Sequence, residues 1–131
     1  MKISVEHIGL PARNPTALKE WYLHTLNGEI VFESGTTPPA YFVRLGGAML
    51  EIYEGDFSAR ETGDNKCNGF RHLALRVDSI ESAKKELEQR GVRFGEDVKP
   101  AGGGGRVLFF QDCEGNLLHL VERPVGSIFD V

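Results

Sequence analysis

Three of the four histidines of this chain, together with one glutamate, stand at positions that an internal repeat brings into register. The run Ser4-Val5-Glu6-His7-Ile8-Gly9-Leu10 overlays Gly69-Phe70-Arg71-His72-Leu73-Ala74-Leu75, so His7 falls on His72. A helix-capping residue follows seven positions after each histidine, at Asn14 and Ser79. Further on, Gly47-Ala48-Met49-Leu50-Glu51-Ile52-Tyr53-Glu54 overlays Gly115-Asn116-Leu117-Leu118-His119-Leu120-Val121-Glu122, so Glu51 falls on His119. Imidazole nitrogens and a carboxylate at one point suit a divalent transition ion such as Zn²⁺, Ni²⁺, Fe²⁺ or Mn²⁺. A single histidine on a strand is usually only solvated or satisfied. The repeat is what lifts His7, Glu51, His72 and His119 above that reading.

The elements that must position these four follow from hydrophobic period. Ile3–Leu10 alternates and reads as a strand that Pro11 ends. Asn14 caps a helix with Pro15 in its first turn and Leu18, Trp21, Tyr22 and Leu26 at helical spacing. Asn27-Gly28 closes it, with glycine expected in the left-handed conformation. Glu29–Ser34, Tyr41–Leu45 and Ala48–Tyr53 read as strands, the last two joined at Gly46-Gly47. The polar stretch from Glu54 to Asn68 reads as a linker. The order then restarts. Phe70–Val77 is a strand, and Asp78-Ser79 caps a helix, with Glu81 placed for a capping box from Asp78. Ile80, Ala83 and Leu87 form its stripe, and Gly91 closes it. Arg93–Val98, Arg106–Gln111 and Leu117–Val121 are the last strands, with Gly102–Gly105 a mobile loop between two of them. The expectation is an α+β fold of two tandem β-α-β-β-β repeats, residues 3–54 and 69–123, in one domain over 1–131, with curved mixed sheets around a metal-binding cleft.

Strand parity divides the side chains. Leu50, Ile52, Leu118 and Leu120 face the helices. Met49, Glu51, Tyr53, Leu117, His119 and Val121 face away, as do His7 and His72. Met49, Tyr53, Leu117 and Val121 are therefore the expected apolar substrate-binding wall beside the metal. Glu122 is a rival fourth ligand, but parity points it away from His119. His24, in the last turn of the first helix, receives no role. Arg44, Arg106 and Arg123 are candidates to meet an anionic substrate, or are simply solubilising. The glycine run opens no helix and lacks the Lys-Ser/Thr ending of a phosphate loop.

Composition restricts the function classes. The chain has 131 residues, 26% of them charged, and a net charge of −4. Its 15 Lys and Arg form no stripe, which argues against a nucleic-acid partner. No apolar run approaches the ~18 residues of a membrane helix. The opening residues lack the apolar centre of a signal peptide. Cys67 and Cys113 have no CxxC spacing and read as reduced thiols. A cytoplasmic protein is expected.

These units and motifs, above all Val5-Glu6-His7-Ile8, Met49-Leu50-Glu51-Ile52, Arg71-His72-Leu73-Ala74-Leu75 and Asp112-Cys113-Glu114-Gly115-Asn116-Leu117-Leu118-His119-Leu120, resemble the vicinal oxygen chelate superfamily over residues 3 to 123. That group includes glyoxalase I, methylmalonyl-CoA epimerase, fosfomycin-resistance transferases, bleomycin-binding proteins and extradiol dioxygenases. The resemblance implies that His7, Glu51, His72 and residue 119 are metal positions. Glyoxalase I carries His, Glu, His, Glu there; this chain has His119 in place of the second Glu, which leaves a bound site about one charge more positive. The resemblance further implies a glyoxalase I-like lyase or isomerase acting on a small oxygen-chelating substrate through an enediolate, with Glu51 as the base, and a homodimer. Two other readings stay open: a non-haem Fe²⁺ dioxygenase using His7, His72 and Glu51, and a binding protein of the bleomycin-resistance kind that holds its ligand without metal.

Overall fold

The computed structural model describes residues 1–56 and 64–130. It is an α+β structure of two compact units, Met1–Ala59 and Arg60–Val131, each carrying one helix and one four-stranded mixed sheet. Residues 57–63 of the expected linker lie outside the described residues.

The first unit contains β1 (Ile8–Ala12), α1 (Pro15–Leu26), β2 (Glu29–Glu33), β3 (Tyr41–Leu45) and β4 (Ala48–Glu54). Its sheet order is β1-β4-β3-β2, with β1 parallel to β4 and the other pairs antiparallel. The amphipathic helix lays its apolar stripe on β3 and β4. Leu18 and Tyr22 of α1 and Val43, Leu50 and Ile52 of the sheet are all essentially inaccessible. Each such side chain is worth roughly 1.5–3 kcal/mol of burial. The second unit repeats the plan with β5 (His72–Arg76), α2 (Ile80–Gln89), β6 (Lys99–Pro100), β7 (Arg106–Gln111) and β8 (Leu117–Glu122), in the order β5-β8-β7-β6. Ile80 and Leu87 of α2 are buried, as are Leu108, Phe110, Leu118 and Leu120 of its sheet. Among the described residues no helix is long and apolar enough to cross a membrane.

Several local expectations are corrected. β1 starts at Ile8, not Ile3, and runs through Pro11 to Ala12. Ile8 pairs with Leu50 in parallel register, so Val5 and the residues before it run out beyond the start of β4 at Ala48 and have no ladder to join. Pro11 is tolerated because β1 is an edge strand, where one side of the backbone has no partner to satisfy. Likewise β5 starts at His72 and ends at Arg76, leaving Phe70 outside it and fully exposed.

Asn27, not Gly28, takes the left-handed conformation, at φ 58°. Gly28 is needed for a different reason. A Cβ there would lie 2.9 Å from Val43 Cγ1 and 3.0 Å from the Tyr22 carbonyl oxygen. The second helix is capped by Ser79, whose hydroxyl accepts from the Ser82 N–H at 3.2 Å; Glu81 instead forks onto Arg106. Arg93–Val98 makes no ladder, and only Lys99 and Pro100 pair with β7. The alternation there serves burial: Val92 is buried, and the Phe94 ring lies 5.4 Å from that of Phe110.

The glycine loop is pinned, not loose. Arg123 Nη1 donates to the carbonyls of Gly102 (2.5 Å) and Gly104 (2.6 Å), and the Phe129 ring fills the space over Gly103.

Gly28→Ala should lower stability by about 1–3 kcal/mol, the cost of overpacking a close contact. Gly47→Ala, with nothing within 4 Å of the added methyl, is the matched control and should leave the urea midpoint nearly unchanged.

Candidate functional site

The two parallel ladders set the site. Gly9 pairs with Glu51 in β1–β4, and Ala74 pairs with His119 in β5–β8. His72, two residues before Ala74 on β5, shares the face of His119 by the two-residue period, and His7, one residue ahead of β1, approaches Glu51 directly. Each unit therefore carries one pair of candidate ligands.

In the first unit His7 Nε2 lies 3.9 Å from Glu51 Oε1. His7 Nδ1 is 3.0 Å from a carboxylate oxygen of Glu6. A carboxylate can only accept, so Nδ1 donates to Glu6, while Nε2 stands beside Glu51 beyond hydrogen-bond distance. In the second unit the His72 and His119 rings stand 4.6 Å apart. His72 Nδ1 is 2.8 Å from Asn65 Oδ1, which again places the proton on Nδ1 and leaves Nε2 as a donor of electrons. Glu6 and Asn65 thus orient the two histidines in the manner of residues behind a metal ligand. Sequence reasoning missed both: Glu6 was visible beside His7, whereas Asn65 comes from outside any periodic element.

An aromatic residue repeats as well. Phe42 pairs across the ladder with Glu51, and Phe109 with His119. The Phe42 ring stands edge-on to His7 at 5.6 Å, and the Phe109 ring stands edge-on to His72 at 5.9 Å. The sequence signal was the cross-strand register, which composition does not reveal.

His119 is the unusual residue. It is 7% exposed, and neither ring nitrogen has a hydrogen-bond partner among the described residues. A buried polar group left unmatched costs about 1–3 kcal/mol, so it calls for an explanation. Burial, with the charges of His72 and Arg123 nearby, pushes its pKa down to about 4. The ring is neutral at pH 7, with an aromatic contact to Phe109 at 4.8 Å and a free lone pair. A buried, neutral, unpartnered imidazole fits a divalent-ion ligand.

Glu122 is committed elsewhere. Its Oε2 accepts from the Ile80 N–H at 2.7 Å at the start of α2, and its carboxylate pairs with Arg106 at 2.9 Å. That backbone bond, then the arginine, hold its pKa below the ordinary range. Of the expected apolar wall, Leu117 and Val121 are buried on either side of His119, Tyr53 lies over Gly9, and Met49 is half-buried. His24 is exposed and bonded to Glu20 at 2.9 Å. Neither cysteine is in a disulfide among the described residues, and burial raises the Cys113 thiol to about 11, which makes it a poor nucleophile. Among the described residues no three His, Cys, Asp or Glu side chains form one cluster; the candidate ligands stand as two pairs.

Two β-α-β-β-β units, each with one helix on a four-stranded mixed sheet and a matched pair of candidate ligands, define a class of small α+β proteins. Residues 4–120 match the model of the glyoxalase/bleomycin resistance protein/dioxygenase superfamily, and the chain belongs to that family. It is similar to human mitochondrial methylmalonyl-CoA epimerase, 34% identical over 86 residues that make up 60% of this chain and 49% of that protein. The aligned part thus spans about half the epimerase. Among solved structures it is similar to a glyoxalase family protein from Enterococcus faecalis, with 28% identity, TM-score 0.76, and coverage of 91% of this chain and 97% of that one. It shares its fold with the fosfomycin resistance protein FosX from Listeria monocytogenes, solved with Mn(II) and 1S,2S-dihydroxypropylphosphonic acid, at 22% identity, TM-score 0.72, and 95% and 94% coverage.

The His119 shift has a pH signature. An unfolded histidine takes up its proton near 6.5, whereas folded His119 resists until about 4. The unfolded chain binds more protons in that window, so stability falls as pH drops from about 6.5 to about 4. Glu20, Glu81, Glu122 and Asp130, all held below their usual values, add their losses at lower pH. In chelator-treated protein, His119→Phe should flatten the upper window in urea titrations. It should be at least as stable as wild type at pH 6, since it removes an unmatched polar group without opening a cavity.

Proposed function

We propose that the chain is a metal-dependent isomerase or lyase of the glyoxalase I-like kind, acting by proton transfer at a carbon beside a carbonyl of a small oxygen-chelating substrate. The observation that carries this reading is the buried, neutral and unpartnered imidazole of His119 beside His72. His7, Glu51, His72 and His119 would hold the ion. When bound, it would stabilise negative charge developing on the substrate's oxygens.

The chain's own residues do the rest. Glu51 is the carboxylate at the site and takes the proton from carbon. Its neighbour His7, with Nε2 3.9 Å away, is oriented by the Glu6 carboxylate, which accepts from the opposite ring nitrogen. Phe42 and Phe109 limit the approach of water to the ligand pairs, and Met49, Tyr53, Leu117 and Val121 contribute apolar contact. Three imidazoles with one carboxylate give a more positive site than two of each. That charge favours an anionic form of the substrate and leaves Glu51 without a second carboxylate to share the proton.

The working unit in this reading is a homodimer. β1 and β5 each form an edge of their own sheet. Ile3, Val5 and Phe70, just ahead of those edges, are 79%, 84% and 102% exposed. Open edges flanked by uncovered apolar residues favour pairing with another chain.

Metal titration tests the ligand set. His119→Ala should lower affinity for Zn²⁺ or Ni²⁺ by at least about 10²-fold, the scale of losing one ligand. Glu122→Ala should hold the metal as wild type does and lower the thermal midpoint through α2. The reverse pattern would show the second ligand pair misassigned. Sedimentation should give twice the 14.5 kDa chain mass at micromolar concentration; a monomer would remove the dimer.

A further inference from the structure

Three arginines offered themselves as anion sites, and the structure separates them. Arg44 is neutralised by Glu29 at 3.2 Å. Arg106 forks onto Glu81 and also meets Glu122, so its donors are spent within the fold. Arg123 has no carboxylate partner among the described residues, since the nearby acids serve other groups. Glu122 binds Ile80 and Arg106, and Asp130 binds Arg76 at 2.6 Å.

Arg123 is nevertheless held firmly. Both of its hydrogen bonds use Nη1, to the carbonyls of Gly102 and Gly104. Its guanidinium carbon lies 4.0 Å from the centre of the Phe129 ring. Among the described residues the Nε–H and the Nη2 group have no acceptor. They form the side edge of the guanidinium, whose two parallel N–H bonds match the two oxygens of an oxyanion. The side chain is half-buried. Continuing the parity of β8, it follows His119 and Val121 on the sheet face opposite Leu118, Leu120 and Glu122. A second cation shares that face: Lys99 Nζ lies 4.7 Å from the centre of the Phe109 ring, although part of its charge goes to Glu96.

We propose that Arg123 is a specificity-determining residue that binds an oxyanion group of the substrate, carboxylate or phospho, through its Nε–H and Nη2–H edge. The proposal rests on the reading of the His72–His119 face as the substrate site. The pinned Nη1 and the stacked ring pre-orient the guanidinium, so little freedom is lost when the anion arrives. The glycine loop acquires a reason as well. Gly103 has room for the Phe129 ring, since a Cβ there would lie 2.9 Å from it, and the loop's carbonyls turn inward to fix the arginine.

The test observes the Arg123 Nε–H resonance directly by proton–nitrogen NMR in the full chain. Inorganic phosphate and acetate are titrated in separate arms at constant ionic strength held with chloride. Saturable movement of the Nε–H signal with either oxyanion, and none with chloride, is expected; the stronger arm names the group. Arg123→Lys keeps the charge but loses the fork and should weaken binding about tenfold, measured on the amides of residues 121–123. Arg123→Gln should abolish it. A wild-type signal unmoved by both oxyanions overturns the proposal, whatever the variants do. So does a Lys variant that binds like wild type. Zn²⁺ titration of the same samples keeps the two readings apart, because loss of metal binding with intact oxyanion binding faults the ligand set and not Arg123.

Discussion

Parallel pairing of the first and last strand in each unit is the constraint on which the site depends. Gly9 opposite Glu51 and Ala74 opposite His119 are backbone registers, held by ladder hydrogen bonds and by helices packed on the far face. A slip of one residue would turn every side chain to the other face. Leu50 and Ile52, or Leu118 and Leu120, would leave the core, and Glu51 or His119 would enter it. The hydrophobic core therefore enforces the orientation of the candidate ligands. The same burial that holds the sheet to its helix keeps the polar pair on the opposite side.

The two units have used that shared frame differently. In the first, His7 and Glu51 are partly solvated, and a carboxylate can find water or a cation without strain. In the second, His119 is buried among Leu117, Val121, Phe109 and His72, where no group among the described residues satisfies it. A neutral imidazole bears such burial better than a carboxylate would, because taking an ionised group out of water costs several kcal/mol more. Replacing glutamate by histidine in the second repeat suits the dry surroundings of that position.

Around this face the second unit spends its charged groups with some economy. Glu122 satisfies the first turn of α2 and neutralises Arg106, which also bridges to Glu81. Asp130 ties the C-terminal segment to Arg76 on β5. The glycine loop, Arg123 and Phe129 then interlock through two carbonyls and one aromatic ring. The result is a fixed guanidinium on the face that carries His72 and His119, with no carboxylate partner among the described residues.

By itself the sequence determined the repeat, both helices with their caps at Asn14 and Ser79, the helix-facing residues of the central strands, and membership of the four candidate ligands in matched positions. All of these follow from local period and from spacing, which one-dimensional pattern records directly. Tertiary structure decided what depends on partners distant in the chain. Ile3–His7 alternates like a strand but lies outside the β1–β4 ladder, which begins at Ile8 opposite Leu50; at that register Val5 and the residues before it fall ahead of β4's first residue, Ala48. Arg93–Val98 alternates too, yet uses its apolar residues for burial and not for pairing. Gly28 looked like a conformational stop and is instead a close packing contact with Val43. Glu122 could be doubted as a ligand from parity, but only its bonds to Ile80 and Arg106 show what it does. Asn65 behind His72, Phe42 and Phe109 beside the ligand pairs, and the two unsatisfied nitrogens of His119 are consequences of register and burial across strands, which no local pattern carries.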